Sequence, residues 1–426
     1  MSVGKIEKVS VQRPSPPELA GFVELPKEAS ELGTYCMEVS GWVLGRSCPV
    51  VGVEVVVEGA VLQTAPVGRP RPDIARAFPG LPAAENCGFG TRVNLASTPA
   101  RFEIALRAVF DDGSRCVFGS IAGERRRFGL EEETTIQPLI VATFGRSGST
   151  WVMRLLDQHP EIVAYRPFQF ESRGGTYWTD VFRALSEPKS YLQPFIATTL
   201  SKQWWLGPDS LDAPRPIPDR HIVEFLGGTS VGSLARFCHQ QLDAFYHEMA
   251  PGAKYFAEKY LLLPFSRRML LEWYPRGKEV VLVRDPRDLF CSIESYNAKR
   301  GNVTFMRGEL PDDAEYMRML VKKMCGLLSA SQGGSKAGHI LRYEDLVMEP
   351  AQTLERVLEY LELDSRAETV AQMLERASSD TKMMREHQTS RNPADSVGRW
   401  RRDLPPRLRE LCLSELGSSM AQFGYD

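Results

Sequence analysis

The stretch "FGRSGSTW", residues 144–151, puts a guanidinium, two glycines and three hydroxyls into one turn. It is entered from the apolar run "LIVATF" and left on the amphipathic "TWVMRLLDQH". A strand-loop-helix of this composition cradles an anion. The backbone N–H groups of Ser147, Gly148, Ser149 and Thr150 and the positive end of the following helix supply the donors, and Gly148 lets the backbone come close. The nucleoside-triphosphate form of such a loop ends in Gly-Lys-Ser/Thr, whose lysine reaches the terminal phosphates and whose hydroxyl holds Mg²⁺. Here Gly148 is followed by Ser149 and Thr150, and the cation is Arg146, two residues before the glycine. A guanidinium stays charged at physiological pH and offers forked donors to an oxyanion. The alternative is a strand-to-helix turn without a ligand, because Ser and Gly are also common helix starters.

A second anion-binding pattern lies downstream in "VLVRDPRDLFCSI". A buried strand breaks at Arg284, Asp285 caps the next helix, and Pro286 takes its first position. Asp285, Asp288 and Ser292 share one helical face. Arg284 and Ser292 can therefore converge on one anion at the carboxyl edge of the sheet, where open α/β folds bind ligands. The alternative pairs Arg284 with Asp288 across the helix start. In the absence of the triphosphate lysine, Asp285 and Asp288 are not expected to hold a metal.

Together these motifs resemble the sulfotransferase superfamily that uses 3′-phosphoadenosine-5′-phosphosulfate (PAPS). "GRSGSTW" is similar to its 5′-phosphosulfate loop in the arginine form of carbohydrate-type and bacterial members, and the resemblance extends that site to Trp151. "LVRDPRDLFCSI" is similar to its 3′-phosphate motif, with Arg284 and Ser292 eight positions apart. "ILRYEDLVMEPAQTLERVLEYLEL" resembles a later strand-helix unit and implies that Tyr343 lies near the adenine. "HQTSRNPADSVGRWRRDL" resembles the C-terminal segment that closes over the 3′-phosphate, which implies Ser396, Arg399 and Trp400 as nucleotide contacts. Sulfuryl transfer from PAPS moves a singly charged group in line, so the missing lysine and metal are not needed. Arg146 then serves the phosphate oxygens where leaving-group charge develops. PAPS is the implied sulfuryl donor, and no metal is implied.

The acceptor side departs from the family pattern. "AEKYLLLPF" is similar to the segment that carries a lysine near the transferring group and a histidine base; Lys259 matches the lysine, and Leu261 stands where the histidine would be. Carbohydrate-type members use a Glu after the loop helix, often in a Glu-Pro pair, and here that position reads Arg166-Pro167. Glu171, in "YRPFQFESRGGTYW", is the remaining carboxylate and is taken as the base for the acceptor proton. A Glu171–Arg173 or Glu171–Arg166 pair is the structural alternative, and His221 and Glu258 are the other candidate bases.

The elements that must position these residues fall in two regions. From Tyr35 to Phe118 the pattern is all β: "TYCMEVSGWVL" alternates, "VVGVEVVVEG" is Val-dense, and "RFEIALRAVFDDGSRCVFGSI" contains an Asp112-Gly113 hairpin turn. "RPRPDIARAFPGLPAAENCGFG" reads as a loop with a helical turn around Ile74–Phe78. After Pro138, apolar strands alternate with long helical patterns, which implies a mostly parallel sheet flanked by helices, an α/β fold of P-loop type. The expected organisation is an extended Pro-rich segment over 1–30, a small all-β sandwich over 31–123, a linker over 124–137 and a catalytic domain over 138–426. The sandwich resembles a β domain appended to some bacterial glycosyltransferases and sulfotransferases, through "SGWVLG", "VEVVVEG" and "GRPRPDIARAFPG".

Composition narrows the partners. The 426 residues carry 43% hydrophobic and 25% charged side chains with a formal net charge of -2, ordinary for a soluble globular protein, and leave no electrostatic reason for a nucleic-acid or membrane partner. Eight scattered cysteines without metal-type spacing read as reduced thiols of a cytoplasmic protein. The start of the chain lacks a signal-peptide pattern, and no membrane span is expected. Nothing in the pattern sets an oligomeric state. The expected activity is transfer of a sulfuryl group to a hydroxyl of a small-molecule, carbohydrate or glycan-linked acceptor. The alternatives are an ATP-dependent small-molecule kinase and a glycan-binding scaffold whose second domain is inactive.

Overall fold

The computed structural model describes residues 2–11, 19–128, 130, 134–164, 173–186, 228–261, 264–332, 338–378, 393–421 and 424–425. Two compact units emerge: Met1–Leu130 with Trp178–Gln240, and Glu131–Tyr177 with Gln241–Asp426.

The first unit is an antiparallel β domain. Its strands are β1 (Gly4–Val11), β2 (Leu19–Leu25), β3 (Glu31–Leu32), β4 (Cys36–Gly45), β5 (Val50–Val57), β6 (Ala60–Arg69), β7 (Gly88–Asn94), β8 (Arg101–Phe110) and β9 (Arg115–Arg125), in the order β2-β4-β7-β6-β5-β8-β9-β1-β3. β6 pairs with both β5 and β7, so one ribbon serves two layers. The layers meet where Phe89 of β7 stands edge-on to Phe118 of β9 at 5.9 Å. The alternation legible in "RFEIALRAVF" puts Phe102, Ile104, Leu106 and Ala108 in the core. Asp112 Oδ1 accepts from the Ser114 N–H at 2.8 Å, and Gly113 has φ 82°, closing the expected hairpin.

Two boundaries differ from expectation. The described parts of the expected extended segment are strands: β1 pairs with β9 and β2 with β4, burying Ile6, Leu19 and Val23. Pro14, Pro16 and Pro17 fall between the two strands in sequence and Pro26 directly follows the second, and their density masked the alternation beside them. Residues 178–186 also pack with the β domain. Phe182 is buried edge-on to Phe128 at 5.3 Å, and Asn94 Nδ2 donates to the Ser186 carbonyl at 3.1 Å.

The second unit is a five-stranded sheet, β10 (Gln137–Thr143), β11 (Ile162–Ala164), β12 (Tyr255–Leu261), β13 (Lys278–Val283) and β14 (His339–Arg342), in the order β11-β12-β10-β13-β14. Every pairing is parallel. The central strand β10 is buried at all seven positions, as a strand covered on both faces must be. One face packs on the helix Ser149–Leu156 and on Leu354, Val357, Leu358, Val370 and Met373 from the later helices. The register matters for the site: Thr143 lies opposite Leu282, and Val283 opposite Arg342. The residues just beyond these pairs are the loop from Phe144, then Arg284 and Tyr343, so adjacent strands deliver all three at one carboxyl edge. Among the described residues no helix is long and apolar enough to cross a membrane.

Candidate functional site

The loop after β10 is built from two left-handed residues, Arg146 at φ 71° and Gly148 at φ 89°. Left-handed residues interleaved with right-handed ones turn successive N–H groups toward one side in anion nests. Gly148 is also the N-cap of the Ser149–Leu156 helix, and a Cβ there would lie 2.5 Å from Cδ2 of Tyr343. Only glycine fits both the angle and the space. On the other side of the loop, a Cβ on Gly145 would collide with the Phe305 ring. Trp151, in the first turn of the helix, stands edge-on to Tyr343 at 6.4 Å.

Arg284 ties this loop to the rest of the site. It is buried, and its Nη1 donates to the Arg146 carbonyl at 3.0 Å while Nη2 donates to the Ser396 carbonyl at 2.9 Å. Its guanidinium lies 4.6 Å from the centre of the Tyr343 ring. The Tyr343 hydroxyl and Ser396 Oγ share a 2.9 Å hydrogen bond. The Arg146 guanidinium sits 4.4 Å from the ring centre of Tyr296. Burial, and then the neighbouring charge of Arg284, push Arg146 down to about 10. Two desolvated guanidiniums supported by carbonyls and aromatic rings form a site that an anion would stabilise.

The Pro286–Arg300 helix begins as its sequence requires. Asp285 caps it, accepting from the Arg287 N–H at 2.9 Å, with Pro286 in the first turn. The Asp285 carboxylate also holds the Arg287 side chain through Nε at 3.0 Å and Nη2 at 2.8 Å, and the Asp285 N–H donates to Glu344 Oε1 at 2.9 Å. Asp288 does not pair with Arg284, the alternative raised by the sequence. Its two oxygens accept the N–H groups of Gly398 at 2.6 Å and Trp400 at 2.8 Å. Burial pushes Asp288 up to about 6. Both aspartates thus have protein hydrogen-bond donors. Ser292, one turn on, is fully buried.

The C-terminal segment carries the other expected contacts. Arg399 donates to Ser295 Oγ at 2.9 Å and pairs with Asp403 at 2.8 Å, and Trp400 lies under the Arg287 guanidinium at 3.9 Å. Ser147 Oγ, Arg284 Nε and Arg399 Nη1 are buried polar atoms that find no partner among the described residues. Donors in that state are what an anionic ligand with several oxygens would complete.

The acceptor side is assembled differently. Lys259 is buried on β12 opposite Val141, two positions before the strand ends at Leu261. Glu171, with Arg166 and His221, lies outside the described residues. Glu258 is fully buried and accepts from the Gly175 N–H at 3.0 Å, the Tyr246 hydroxyl at 2.9 Å and the Tyr260 hydroxyl at 3.2 Å. Burial raises it to about 7, and those donors pull the other way. Three donors fix the position of its carboxyl group.

The structure therefore brings together Arg146, Gly148, Trp151, Arg284, Tyr343 and Ser396, with Arg399 and Trp400 held by the neighbouring helix. Tyr296 and Phe305 were not foreseen. Tyr296 stands four residues after Ser292, so helical spacing could have placed it on the same face. Phe305 lies in an irregular segment, held where the Tyr316 hydroxyl donates to its carbonyl at 2.7 Å, and carries no local signal.

A family model described as a sulfotransferase family matches residues 138–368. Among solved structures, the chain is similar to the sulfotransferase domain of the Synechococcus PCC 7002 olefin synthase, at 15% identity over 70% of this chain and 97% of that chain, TM-score 0.40. It is also similar to the sulfotransferase domain from the curacin biosynthetic pathway, at 15% identity over 68% and 98%, TM-score 0.39. Sulfotransferase STF9 from Mycobacterium avium is 18% identical over 67% of this chain and 77% of that one, TM-score 0.32. No curated protein matches the chain.

Proposed function

The chain belongs to the sulfotransferase family, and from that premise we propose that it transfers a sulfuryl group from PAPS to a hydroxyl of a carbohydrate or glycan-linked acceptor. The observation that carries the donor assignment is the pair of guanidiniums, buried Arg284 and half-buried Arg146, joined through the Arg146 carbonyl at 3.0 Å. They offer two separated cationic positions at one sheet edge, as a nucleotide with phosphates on both its 3′ and 5′ sides requires.

PAPS, when bound, supplies the sulfuryl group and a phosphate leaving group. Arg146 and the N–H groups of Ser147, Gly148, Ser149 and Thr150 would hold the 5′-phosphosulfate. Arg284, Ser292, Ser396 and Arg399 would hold the 3′-phosphate, and Tyr343, Trp151 and Trp400 would bound the nucleoside. Donors fixed before reaction stabilise developing charge without reorganising, each removal costing about 3–4 kcal/mol of barrier in well-studied cases. Lys259 is assigned to the transferring group and Glu171 to the acceptor proton. No metal is assigned a role, because the carboxylates nearest the loop are engaged by Arg287, Gly398 and Trp400. The carbohydrate acceptor is proposed on the likeness of the β domain to those appended to glycan-modifying enzymes. A cytoplasmic setting fits the eight free cysteines.

Isothermal titration tests the donor. Tight binding of 3′-phosphoadenosine 5′-phosphate without Mg²⁺ is expected. Tight binding of ATP·Mg²⁺ with no affinity for that nucleotide would make the protein a kinase. Mass spectrometry of sugars incubated with protein and PAPS tests the acceptor, a gain of one sulfuryl mass being the expected product.

A further inference from the structure

One buried acid beside the guanidinium pair has no task in the reading above. Asp288 is fully buried on the Pro286–Arg300 helix, in its first turn. Among the described residues its hydrogen bonds are two, both from the backbone of the C-terminal segment: Gly398 to Oδ2 at 2.6 Å and Trp400 to Oδ1 at 2.8 Å. Gly398 has φ 68°, a left-handed turn that lets two N–H groups spaced two residues apart reach one carboxylate.

The residues on either side of this clasp are those that face the site. Ser396 accepts from Arg284 through its carbonyl at 2.9 Å and meets the Tyr343 hydroxyl through Oγ at 2.9 Å. Arg399 lies between the two clasped N–H groups and reaches Ser295 on the same helix at 2.9 Å. Trp400 is covered by Arg287, itself held by Asp285. Residues 396–400 are thus fastened to the start of one helix at several points, and Asp288 is the anchor that takes two of their backbone N–H groups at once.

A buried carboxylate bound only by backbone N–H groups carries a desolvation cost that a neutral side chain would avoid. Hydrogen bonds to an ionised acceptor are about twice as strong as neutral ones, so the charge gives the segment a firmer hold than an amide could. The cost makes sense if the position of the segment matters to binding.

We propose that Asp288 is a positioning residue of the nucleotide site: it holds residues 396–400 against the helix start, so that Ser396 and Arg399 stand beside Arg284 before the ligand arrives. The proposal rests on reading the Arg284 side of the site as the 3′-phosphate end. Donors fixed in advance avoid the ordering cost that a loose segment would add on binding.

The test uses the full chain with Asp288→Asn and Asp288→Ala, titrated with 3′-phosphoadenosine 5′-phosphate and with adenosine 5′-phosphate, which lacks the 3′ group. Loss of hydrogen bonds to a charged acceptor predicts about a tenfold weaker affinity for the bisphosphate in Asp288→Asn, and a preference over the monophosphate reduced by about the same factor. Amide exchange supplies a readout that a general loss of stability would not mimic. The N–H groups of Gly398 and Trp400 should lose protection while the Pro286–Arg300 helix keeps its own. If Asp288→Ala does not fold, Asp288→Asn decides. Wild-type preference for the bisphosphate in Asp288→Asn overturns the proposal and leaves the function standing. Wild-type protein that does not bind the bisphosphate overturns the function and the proposal with it.

Discussion

Arg284 donates from Nη1 to the backbone carbonyl of Arg146 at 3.0 Å, although 138 positions separate the two in sequence. One guanidinium therefore braces the loop that presents the other, so the two cationic positions are mechanically linked. Removing Arg284 should be felt at both ends.

Arg284→Lys keeps the charge and loses the fork that reaches two carbonyls at once. Affinity for 3′-phosphoadenosine 5′-phosphate should fall by about ten- to a hundredfold, on the usual scale of hydrogen bonds to charged groups. Adenosine 5′-phosphate should lose less, the remainder reporting the loosened loop. Titration with both nucleotides checks this, and an equal loss for both would refute the 3′-phosphate assignment.

Gly148→Ala should strike at the loop itself. The new Cβ would lie 2.5 Å from Cδ2 of Tyr343 at a φ of 89°. A thermal-unfolding loss of about 1–3 kcal/mol is expected from the strain alone, together with loss of nucleotide binding. Gly59→Ala is the control: Gly59 has φ 78° but nothing within 4 Å of its Cβ position, so it should weaken folding modestly and leave binding untouched.

Glu258 gives stability a pH dependence with a definite sign. Its folded pKa of about 7 lies above the ordinary 4.5, so the folded chain holds this proton where the unfolded chain has released it. The associated stability is full below pH 4.5 and is lost as pH rises through 7, on the order of 3 kcal/mol in all. Glu258→Gln cannot ionise and should flatten that slope. Denaturant unfolding of both proteins from pH 4 to pH 8 should show the difference growing in favour of the variant; parallel curves would mean that Glu258 titrates normally.

Glu171→Gln tests the base. A drop in kcat of about 10²–10⁴ is expected if this side chain takes the acceptor proton, with nucleotide affinity unchanged. A wild-type rate would pass the role to another group.

Much of the β domain was legible because alternation and hairpin chemistry are local. Asp112 and Gly113 form the turn that their types require, and Ile104 and Leu106 face inward at the two-residue period. The strands at 4–11 and 19–25 were hidden by neighbouring prolines, and their pairing to β9 and β4 depends on segments far away in the chain. The same distance hid the role of Phe182, which a helical pattern alone does not assign to either unit.

At the site, the chain itself determined which side chains carry charge and where each strand must end. Apolar runs stopping at Phe144, Val283 and Arg342 place a loop, an arginine and a tyrosine at strand termini, and Asp285-Pro286 starts a helix wherever it folds. Tertiary structure decided what those residues face. The order β10-β13-β14 brings the three termini side by side, so that Arg284 meets a carbonyl of the loop and Tyr343 fills the space that Gly148 leaves. It also gave Asp288 to the backbone of Gly398 and Trp400 instead of to Arg284. Charge, periodicity and capping act over a few neighbouring residues; partner choice across more than a hundred positions is settled only when the sheet order and its packing exclude the alternatives.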